Sequence, residues 1–365
     1  MARIAFFLPN LNGGGAERVC VNLAAGLIQG GFDVDIVLTK KSGELLETLP
    51  PAVRVVNLNA SRVLFSLWPL KIYLRQVEPD ALISAPDHAN LVAIWARILA
   101  RVRTHTVVTT HNTLSIVVRR SPKLQEKLYP FLLRLFQRHA DYIVAVSQGA
   151  ADDLARTAHI PRARISVIYN PAVHPSLRDL VAQSVTHSWF VDEHPPVILA
   201  AGRLTPQKDY PTLLQAFSIL RRKRVAHLVI LGEGKEQENL EKLAIELGIS
   251  SEVAFLGFDI NPYRYMSRCN LFVLSSLWEG FSIVLAEALA CGAQIVSTDC
   301  PNGPAEILDH GRYGRLVPVG DAAAMAEAME MAMDEPIQTE LLRKRAEAFS
   351  LEAAVEKYLG VLGLS

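Results

Sequence analysis

The sequence predicts an α/β protein made of two doubly wound, parallel-sheet domains joined by a single linker. Short β-branched runs alternate with helix-length amphipathic stretches, which indicates strand–helix–strand crossovers and sheets covered on both faces. The alternation occurs twice, with a pause at about residues 170–196 that contains several prolines and no clean periodicity. The chain has 365 residues, of which 50% are apolar, so two domains can each bury a sizeable core.

The first series of strands and helices is assigned to an N-terminal domain of residues 1–175. Its β-branched runs predict strands at Arg3–Leu8, Asp33–Leu38, Ala81–Ser84, Thr106–Thr109, Tyr142–Ala145 and Ile165–Ile168. The apolar periodicity between them predicts helices at Ala16–Gly30, Asn90–Ala100, Lys123–His139 and Gln148–Thr157.

The second series is assigned to a C-terminal domain of residues 190–349. The predicted strands are Val197–Ala201, His227–Leu231, Val253–Phe255, Leu271–Leu274 and Gln294–Ser297. The predicted helices are Tyr210–Arg224, Lys235–Leu247, Ile283–Cys291 and Ala322–Met333. One more helix is expected at Leu351–Leu362.

The cysteines and the apolar runs bear on where the protein works. Four scattered cysteines form no CxxC pair, so we expect reduced core thiols in a cytoplasmic protein: Cys20, Cys269, Cys291 and Cys300. The first apolar run, Ile4–Leu8, is too short for a signal peptide, and no run approaches the roughly 18–20 residues of a spanning helix. Any membrane contact is therefore expected to be peripheral.

Charge is balanced overall but divided unevenly along the chain. The first 190 residues carry 21 Lys and Arg against 13 Asp and Glu, and the remainder carries 16 against 24. Residues 97–138 hold nine Lys and Arg against Glu126, interleaved with apolar side chains. That mixture suits an anionic membrane surface or an anionic lipid, and equally a basic-faced helix packed on the sheet. Four cations are the candidate contacts: Arg119, Arg120, Lys123 and Lys127. Nucleic acid is not expected, because the patch is local.

A glycine-rich loop, Asn10–Gly15, follows the first predicted strand and opens the first helix. Glycines there let the backbone approach a ligand closely, and the free N–H groups of a helix start favour an anion. The spacing is not GxGxxG, and the second strand ends at Leu38-Thr39-Lys40 without the carboxylate that a dinucleotide site uses. A nicotinamide dehydrogenase is therefore disfavoured, and a purely structural turn stays open.

A second loop, Gly202–Tyr210, places Arg203 and Lys208 five residues apart after the first strand of the second domain. Ligands of open α/β folds bind at this edge of the sheet. An arginine fork and a lysine point charge suit a pyrophosphate, whose charge grows as it departs. A pair of solvated surface cations is the alternative.

The segment from Glu279 to Gly292 carries two carboxylates eight residues apart. A helix is expected from about Ser282 to Cys291, and its first N–H groups can hold a phosphate. Glu287 falls on an apolar helix near a buried seam, where an unpaired charge is costly, so a hydroxyl-rich partner such as a ribose is indicated. A partly exposed glutamate paired with an arginine is the alternative.

These elements together resemble family 4 of the glycosyltransferases. The resemblance rests on Glu279-x7-Glu287, on Gly202-Arg203 with Lys208, and on the Gly13–Glu17 loop. Lesser matches follow in order along nearly the whole chain: Thr110-His111-Asn112, Val146-Ser147-Gln148, Tyr169-Asn170-Pro171, Leu231-Gly232-Glu233-Gly234 and Cys300 to Glu306. The resemblance implies the GT-B fold, in which two Rossmann-like domains face each other across a cleft, and a C-terminal helix, 350–365, that returns to the first domain.

The resemblance also implies roles for individual residues. Arg203 and Lys208 would hold the donor diphosphate, Glu287 the ribose, and Glu279 the sugar, with His111 nearby. The backbone around the diphosphate and sugar would come from Gly14, Gly15, Gly202, Gly280, Phe281, Ser282, Ile283 and Val284.

The implied activity is a retaining transfer from a UDP- or GDP-sugar to a glycan or lipid-linked acceptor. The implied mechanism uses no metal and no cofactor, and the sequence has no Asp-x-Asp and no His/Cys cluster with ligand spacing. The remaining alternatives are an epimerase or sugar phosphorylase of the same fold and a non-catalytic sugar-nucleotide-binding protein.

Overall fold

The computed structural model describes residues 1–120, 124–173, 176–191 and 194–364, with only the backbone described for 124–126. Within these ranges the chain forms two compact units. One comprises Met1–Pro171 with the C-terminal residues from Leu351, and the other comprises Ala172–Ser350.

The first unit is built on a seven-stranded parallel sheet of order β3-β2-β1-β4-β5-β6-β7. Its strands are β1 (Arg3–Leu8), β2 (Asp33–Leu38), β3 (Arg54–Asn57), β4 (Ala81–Ser84), β5 (His105–Thr110), β6 (Tyr142–Ala145) and β7 (Ile165–Val167). Its helices are α1 (Gly15–Gln29), α2 (Leu67–Val77), α3 (Asp87–Ala100), α4 (Leu114–Arg120), α5 (Leu124–Phe136) and α6 (Gln148–Ala158).

The second unit is built on a six-stranded parallel sheet of order β10-β9-β8-β11-β12-β13. Its strands are β8 (Val197–Ala201), β9 (His227–Leu231), β10 (Val253–Gly257), β11 (Leu271–Leu274), β12 (Ile295–Thr298) and β13 (Arg315–Val317). Its helices are α7 (Leu177–Ala182), α8 (Tyr210–Arg221), α9 (Gln237–Glu246), α10 (Tyr263–Met266), α11 (Ile283–Cys291), α12 (Pro304–Ile307), α13 (Ala322–Asp334) and α14 (Thr339–Ala346).

Burial explains why the central strands are uniformly apolar. Every residue of β4, β8 and β11 is buried, as expected for parallel strands covered by helices on both faces. In the second unit, Phe217 of α8 and Met329 of α13 are fully buried in the cluster that covers one face. The predicted fold class, two doubly wound α/β domains, is confirmed.

The C-terminal helix α15 (Leu351–Leu362) packs against α1 of the first unit. The two helices approach closely at Gly26, where an added Cβ would lie 2.8 Å from a methyl group of Val355. A larger residue at this position would force the helices apart.

Both sheets reverse their strand order at one point, and that point places the candidate site. In the first unit β1 lies between β2 and β4, and in the second β8 lies between β9 and β11. Loops that leave the carboxyl ends of β1 and β4, or of β8 and β11, therefore diverge and open a crevice where ligands of such folds bind.

Within the described residues, eight strands and helices have no counterpart among the predicted elements: β3, β13, α2, α4, α7, α10, α12 and α14. The two strands have only four and three residues at sheet edges, too few for a reliable alternation. Helix α2 exposes Trp68 and Ile72 while it buries Leu70, Tyr73 and Leu74, so its apolar residues do not outline a single buried face. The predicted helix Lys123–His139 is observed as α5 followed by a 3₁₀ turn at Gln137–His139.

The region predicted as a linker, 170–196, is divided between the units at Pro171–Ala172. Most of it packs on the second unit. The amide of Asn261 donates to the carbonyl of Leu180 in α7 at 2.9 Å, and the Trp189 ring stacks on His227 with centroids 4.0 Å apart. These contacts come from residues distant in sequence, so local periodicity could not indicate them.

Candidate functional site

In the second unit, the loops that follow β8 and β11 are bound to each other at the reversal point of the sheet. The Gln207 side chain donates to the carbonyl of Trp278 at 2.9 Å, and the N–H of Leu277 donates to the carbonyl of Gln207 at 2.8 Å. The hydroxyl of Ser275 donates to the carbonyl of Lys208 at 2.7 Å. This lattice of bonds holds the two loops in one arrangement, which is what a preorganised site requires.

Lys208 and Glu279 meet where the two loops join. The ammonium Nζ donates to Oε1 of Glu279 at 2.6 Å, and the two side chains are 14% and 9% exposed. The hydroxyl of Ser276 donates to the same carboxylate oxygen at 2.7 Å, and the carbonyl of Ser276 in turn accepts from Thr298 Oγ1 at 2.6 Å. An ammonium has three N–H donors, so binding Glu279 leaves donor capacity for a ligand.

Arg203 differs from Lys208 although both lie on the loop after β8. Its side chain is exposed, and no ion pair involving it occurs within the part of the chain that the structure describes. Gly202 beside it presents its carbonyl to the buried hydroxyl of Tyr210, at 3.0 Å. The pair predicted from the motif therefore consists of one anchored cation and one exposed cation.

The N-terminus of α11 faces the same loop system. Ser282 caps this helix in a left-handed conformation, φ 65°, a strained state that concentrates at functional sites. Its hydroxyl is buried and has no hydrogen-bond partner among the described residues. The first intrahelical bonds come from the N–H groups of Leu285 and Ala286, so those of Ile283 and Val284 precede them. Gly280 and Phe281 form the turn that leads into this cap.

Glu287 lies one and a half turns further along α11 and is only 4% exposed. Its Oε1 accepts a hydrogen bond from the hydroxyl of Tyr263, in α10, at 2.8 Å. A buried carboxylate needs hydrogen-bond donors, and the Tyr263 hydroxyl both supplies one and orients the group.

In the first unit, the glycine-rich loop lies at the corresponding reversal point, after β1. Gly14 caps α1, which begins at Gly15. The loop is held by Gly43, because the N–H of Leu11 donates to the carbonyl of Ser42 at 2.9 Å and a Cβ on Gly43 would lie 2.1 Å from the carbonyl oxygen of Leu11. This support has no local signal in the sequence, since Gly43 lies far from the loop along the chain.

His111 lies just after β5 and has a defined tautomer. The hydroxyl of Thr109 donates to the carbonyl of Ser84 at 2.8 Å, so its oxygen accepts from Nε2–H of His111, 3.0 Å away. Nδ1 is then an acceptor, and this buried atom has no partner among the described residues. Burial lowers the pKa of His111 to about 4, so the imidazole is neutral at physiological pH.

The carboxyl of Asp87 is bound by the residue that precedes His111, because the hydroxyl of Thr110 donates to its Oδ1 at 3.0 Å. Burial raises the pKa of Asp87 to about 6. The two groups change the free energy of unfolding in opposite directions as the pH falls. Between about pH 4 and 6.5 the unfolded state binds more protons at His111, whereas the native state binds more at Asp87.

We therefore expect the variant Asp87→Asn to lose stability more steeply than the parent as the pH falls from 6.5 to 4.5. With the opposing carboxyl removed, protonation of His111 in the unfolded state should lower the free energy of unfolding of the variant by on the order of 1–2 kcal/mol over this range. His111→Gln should show the opposite trend. Urea unfolding of the full-length protein at several pH values measures both, and three parallel pH profiles would contradict the shifts.

The candidate acceptor cations lie on α4 and α5 of the first unit. Arg119, Arg120 and Lys127 are exposed, and Lys123 lies outside the described residues. Leu128 and Phe131 of α5 are also exposed, while Leu133 is buried in the core. The structure thus combines an exposed basic and apolar face with an ordinary buried face.

Several side chains of the site escaped the sequence analysis. Ser276 and Tyr263 orient the two carboxylates, and Thr109 orients His111. Hydroxyl residues at strand ends were the one available signal for Ser276 and Thr109. Burial raises the pKa of the neighbouring Cys300 thiol to about 12, so it is not a nucleophile at neutral pH.

Comparisons with known proteins match both units to glycosyltransferases. Residues 13–173 match the family model Glycosyltransferase Family 4, and residues 185–349 match the model Glycosyl transferases group 1.

Two characterised relatives align over almost the full length. The chain is 30% identical to N-acetylgalactosamine-N,N'-diacetylbacillosaminyl-diphospho-undecaprenol 4-alpha-N-acetylgalactosaminyltransferase of Campylobacter jejuni, covering 92% of this chain and 91% of that protein. It is 28% identical to a lipopolysaccharide core biosynthesis glycosyltransferase of Rhizobium meliloti, covering 96% of both. Among solved structures, Anabaena HepE in complex with UDP and glucose aligns over 100% of both chains with a TM-score of 0.77 at 22% identity.

Proposed function

The chain belongs to glycosyltransferase family 4, and on that premise we propose that it transfers a sugar from a UDP- or GDP-sugar with retention of anomeric configuration. The protein is a GT-B glycosyltransferase of the EC 2.4 class. The observation that carries the proposal of a sugar-nucleotide donor is the junction of the loops after β8 and β11. It combines the buried Lys208–Glu279 pair, the cap of α11 and the oriented carboxylate of Glu287.

Each part of this junction suits one part of a nucleotide-sugar. The free N–H groups at the start of α11, the Ser282 hydroxyl and the Lys208 ammonium suit the diphosphate. Arg203 is exposed and able to join them. Glu279 suits the hydroxyls of the sugar, and Glu287 suits those of the ribose, because an ionised carboxylate accepts from two adjacent hydroxyls. The fold of HepE, which binds UDP and glucose, supports the nucleotide assignment.

The reaction we propose breaks the bond between C1 of the sugar and the diphosphate oxygen, which keeps the electron pair. The acceptor oxygen then bonds to C1 from the same face, and its proton passes to the departing diphosphate. Lys208 and Arg203 stabilise the negative charge that grows on the diphosphate, as fixed cations do in preorganised sites. Neither Glu279 nor Glu287 forms a bond to the sugar in this scheme.

Within the first unit, His111 and the glycine loop offer groups that suit a sugar and a phosphate. The neutral imidazole offers Nδ1 as an acceptor for a sugar hydroxyl, a role that a protonated ring could not fill. Gly14 and Gly15 offer backbone N–H groups at the start of α1, where the helix dipole favours phosphate.

The acceptor we propose is a glycan carried on a polyprenyl diphosphate, as named for the Campylobacter relative. The exposed cations Arg119 and Lys127 suit its diphosphate, and the apolar side chains Leu128 and Phe131 suit its lipid or the membrane that holds it.

Replacing Arg119 and Lys127 with glutamine should then raise KM for a lipid-linked acceptor and leave KM for the sugar nucleotide unchanged.

A transfer assay tests the reaction. Incubation with UDP- and GDP-sugars and an undecaprenyl-diphosphate-linked glycan should yield a product whose new linkage has the anomeric configuration of the donor, measured by NMR. We expect the rate to persist in EDTA, because fixed cations replace a metal in this proposal. An inverted linkage would refute retention, and loss of activity in EDTA would refute metal independence. Conversion of the donor without an acceptor would instead indicate an epimerase.

A further inference from the structure

The outer face of the segment from Arg62 to Arg75, which we call the α2 surface, exposes four large apolar side chains. Leu64 is 69% exposed, Phe65 58%, Trp68 59% and Ile72 52%. Trp68 and Ile72 are four residues apart on α2 and so share one face of the helix, and Leu64 and Phe65 belong to the 3₁₀ turn Val63–Ser66 that leads into it. Leu70, Tyr73 and Leu74 occupy the opposite stripe and are buried in the core. The exposed stripe therefore does nothing for the packing of this unit.

The charges of this surface are all of one sign. Arg62 and Lys71 belong to it, and no Asp or Glu occurs between Glu47 and Glu78 in the sequence. The Lys71 ammonium lies 4.5 Å above the Trp68 ring, so a cation is held directly over the apolar stripe. Large apolar patches on soluble proteins mark interaction sites, and this one would attract an anionic partner.

The apolar surface extends beyond α2. Helix α2 packs along α3, and α3 packs against α5, so the three helices lie side by side. Trp95 of α3 is 40% exposed, and its ring lies 4.7 Å from that of Phe136 in α5. An extended face that combines aromatic side chains with cations suits the surface of a bilayer.

We propose that the α2 surface docks the protein on an anionic phospholipid bilayer, with Phe65, Trp68 and Ile72 in the interface and Arg62 and Lys71 among the headgroups. Aromatic and aliphatic side chains combined with cations give such binding. A second copy of the chain fits less well, because pairing of two such faces brings like charges together. Docking would keep the enzyme beside its substrate, and this purpose rests on the proposed lipid-linked acceptor. The docking itself does not.

The experiment is sedimentation of the full-length protein with large vesicles of phosphatidylcholine alone or with 30% phosphatidylglycerol. The parent should partition onto the anionic vesicles, and the triple variant Phe65→Ser/Trp68→Ser/Ile72→Ser should do so at least about tenfold less. The matched control replaces three exposed apolar residues of the second unit, Val225→Ser/Ile245→Ser/Leu341→Ser. The control should bind like the parent.

Equal vesicle binding by the parent and the triple variant would overturn the proposal, as would a parent that binds neither vesicle. A parent that is dimeric by light scattering and a triple variant that is monomeric would show that a second copy covers the surface. Brominated lipids should quench the tryptophan fluorescence of the parent more than that of the Trp68→Phe variant. A thermal shift with UDP or GDP, measured for the parent and the triple variant, tests nucleotide binding separately. If neither nucleotide raises Tm, the proposed function fails, and the vesicle result still decides whether the α2 surface docks on a bilayer.

Discussion

Replacing Lys208 with alanine is expected to reduce turnover by about 10²-fold or more, in line with the loss of a preorganised charge partner of the transition state. The ammonium is 14% exposed and fixed by Glu279 and the loop after β11, so it meets the growing charge without reorganising. The measurement is the rate of sugar transfer at saturating donor and acceptor.

Two variants control for structural damage at this position. Lys208→Gln retains a donor for Glu279 but no charge, so it should fold like the parent and still lose most of the activity. Lys242→Ala removes an exposed lysine of α9 and should leave the rate unchanged. Near-parental turnover in Lys208→Ala would remove this residue from the site.

Replacing Glu287 with alanine is expected to weaken nucleotide binding by roughly 10- to 100-fold, since hydrogen bonds to a charged group contribute about 1.5–3 kcal/mol. The carboxylate is buried and already oriented by the Tyr263 hydroxyl, so little entropy is lost when a ribose binds it. Calorimetric titration with UDP and GDP measures the affinity directly.

Tyr263→Phe is the informative companion to this variant. It removes the orienting hydroxyl and keeps the carboxylate and the packing, so it should weaken nucleotide binding less than Glu287→Ala does. If Glu287→Ala binds the nucleoside diphosphate as tightly as the parent, the ribose role is wrong.

The fold could be predicted from the sequence because its signals are local. Buried parallel strands such as β8 and β11 consist of apolar residues throughout, and the helices between them have a clear period. The same reasoning failed for α2, because Trp68 and Ile72 are apolar but exposed, so the apolar residues of this helix do not mark one buried face. It also failed for the region around Trp189, which is held on the second unit by His227, a distant residue.

The site could be predicted only in part for a similar reason. Lys208, Glu279 and Glu287 lie in motifs with recognisable spacing, and the structure brings the first two into contact. Ser276, Tyr263 and Thr109 orient these groups through hydrogen bonds that the fold creates. A single hydroxyl residue forms no motif whose spacing predicts its hydrogen-bond partner, so these residues could be identified only in the three-dimensional structure.

The central claim, that the second unit binds a nucleoside diphosphate through Lys208 and Glu287, is tested most directly by thermal shift. The panel comprises UDP, GDP, ADP, NAD and the common UDP- and GDP-sugars. A ligand at about 100 times its Kd adds roughly 2.7 kcal/mol of stability, enough to raise Tm by several degrees. We expect a shift with UDP or GDP and its sugar, none with NAD, and a smaller shift in Glu287→Ala. A shift with NAD alone, or the same shift in the variant as in the parent, would contradict the claim.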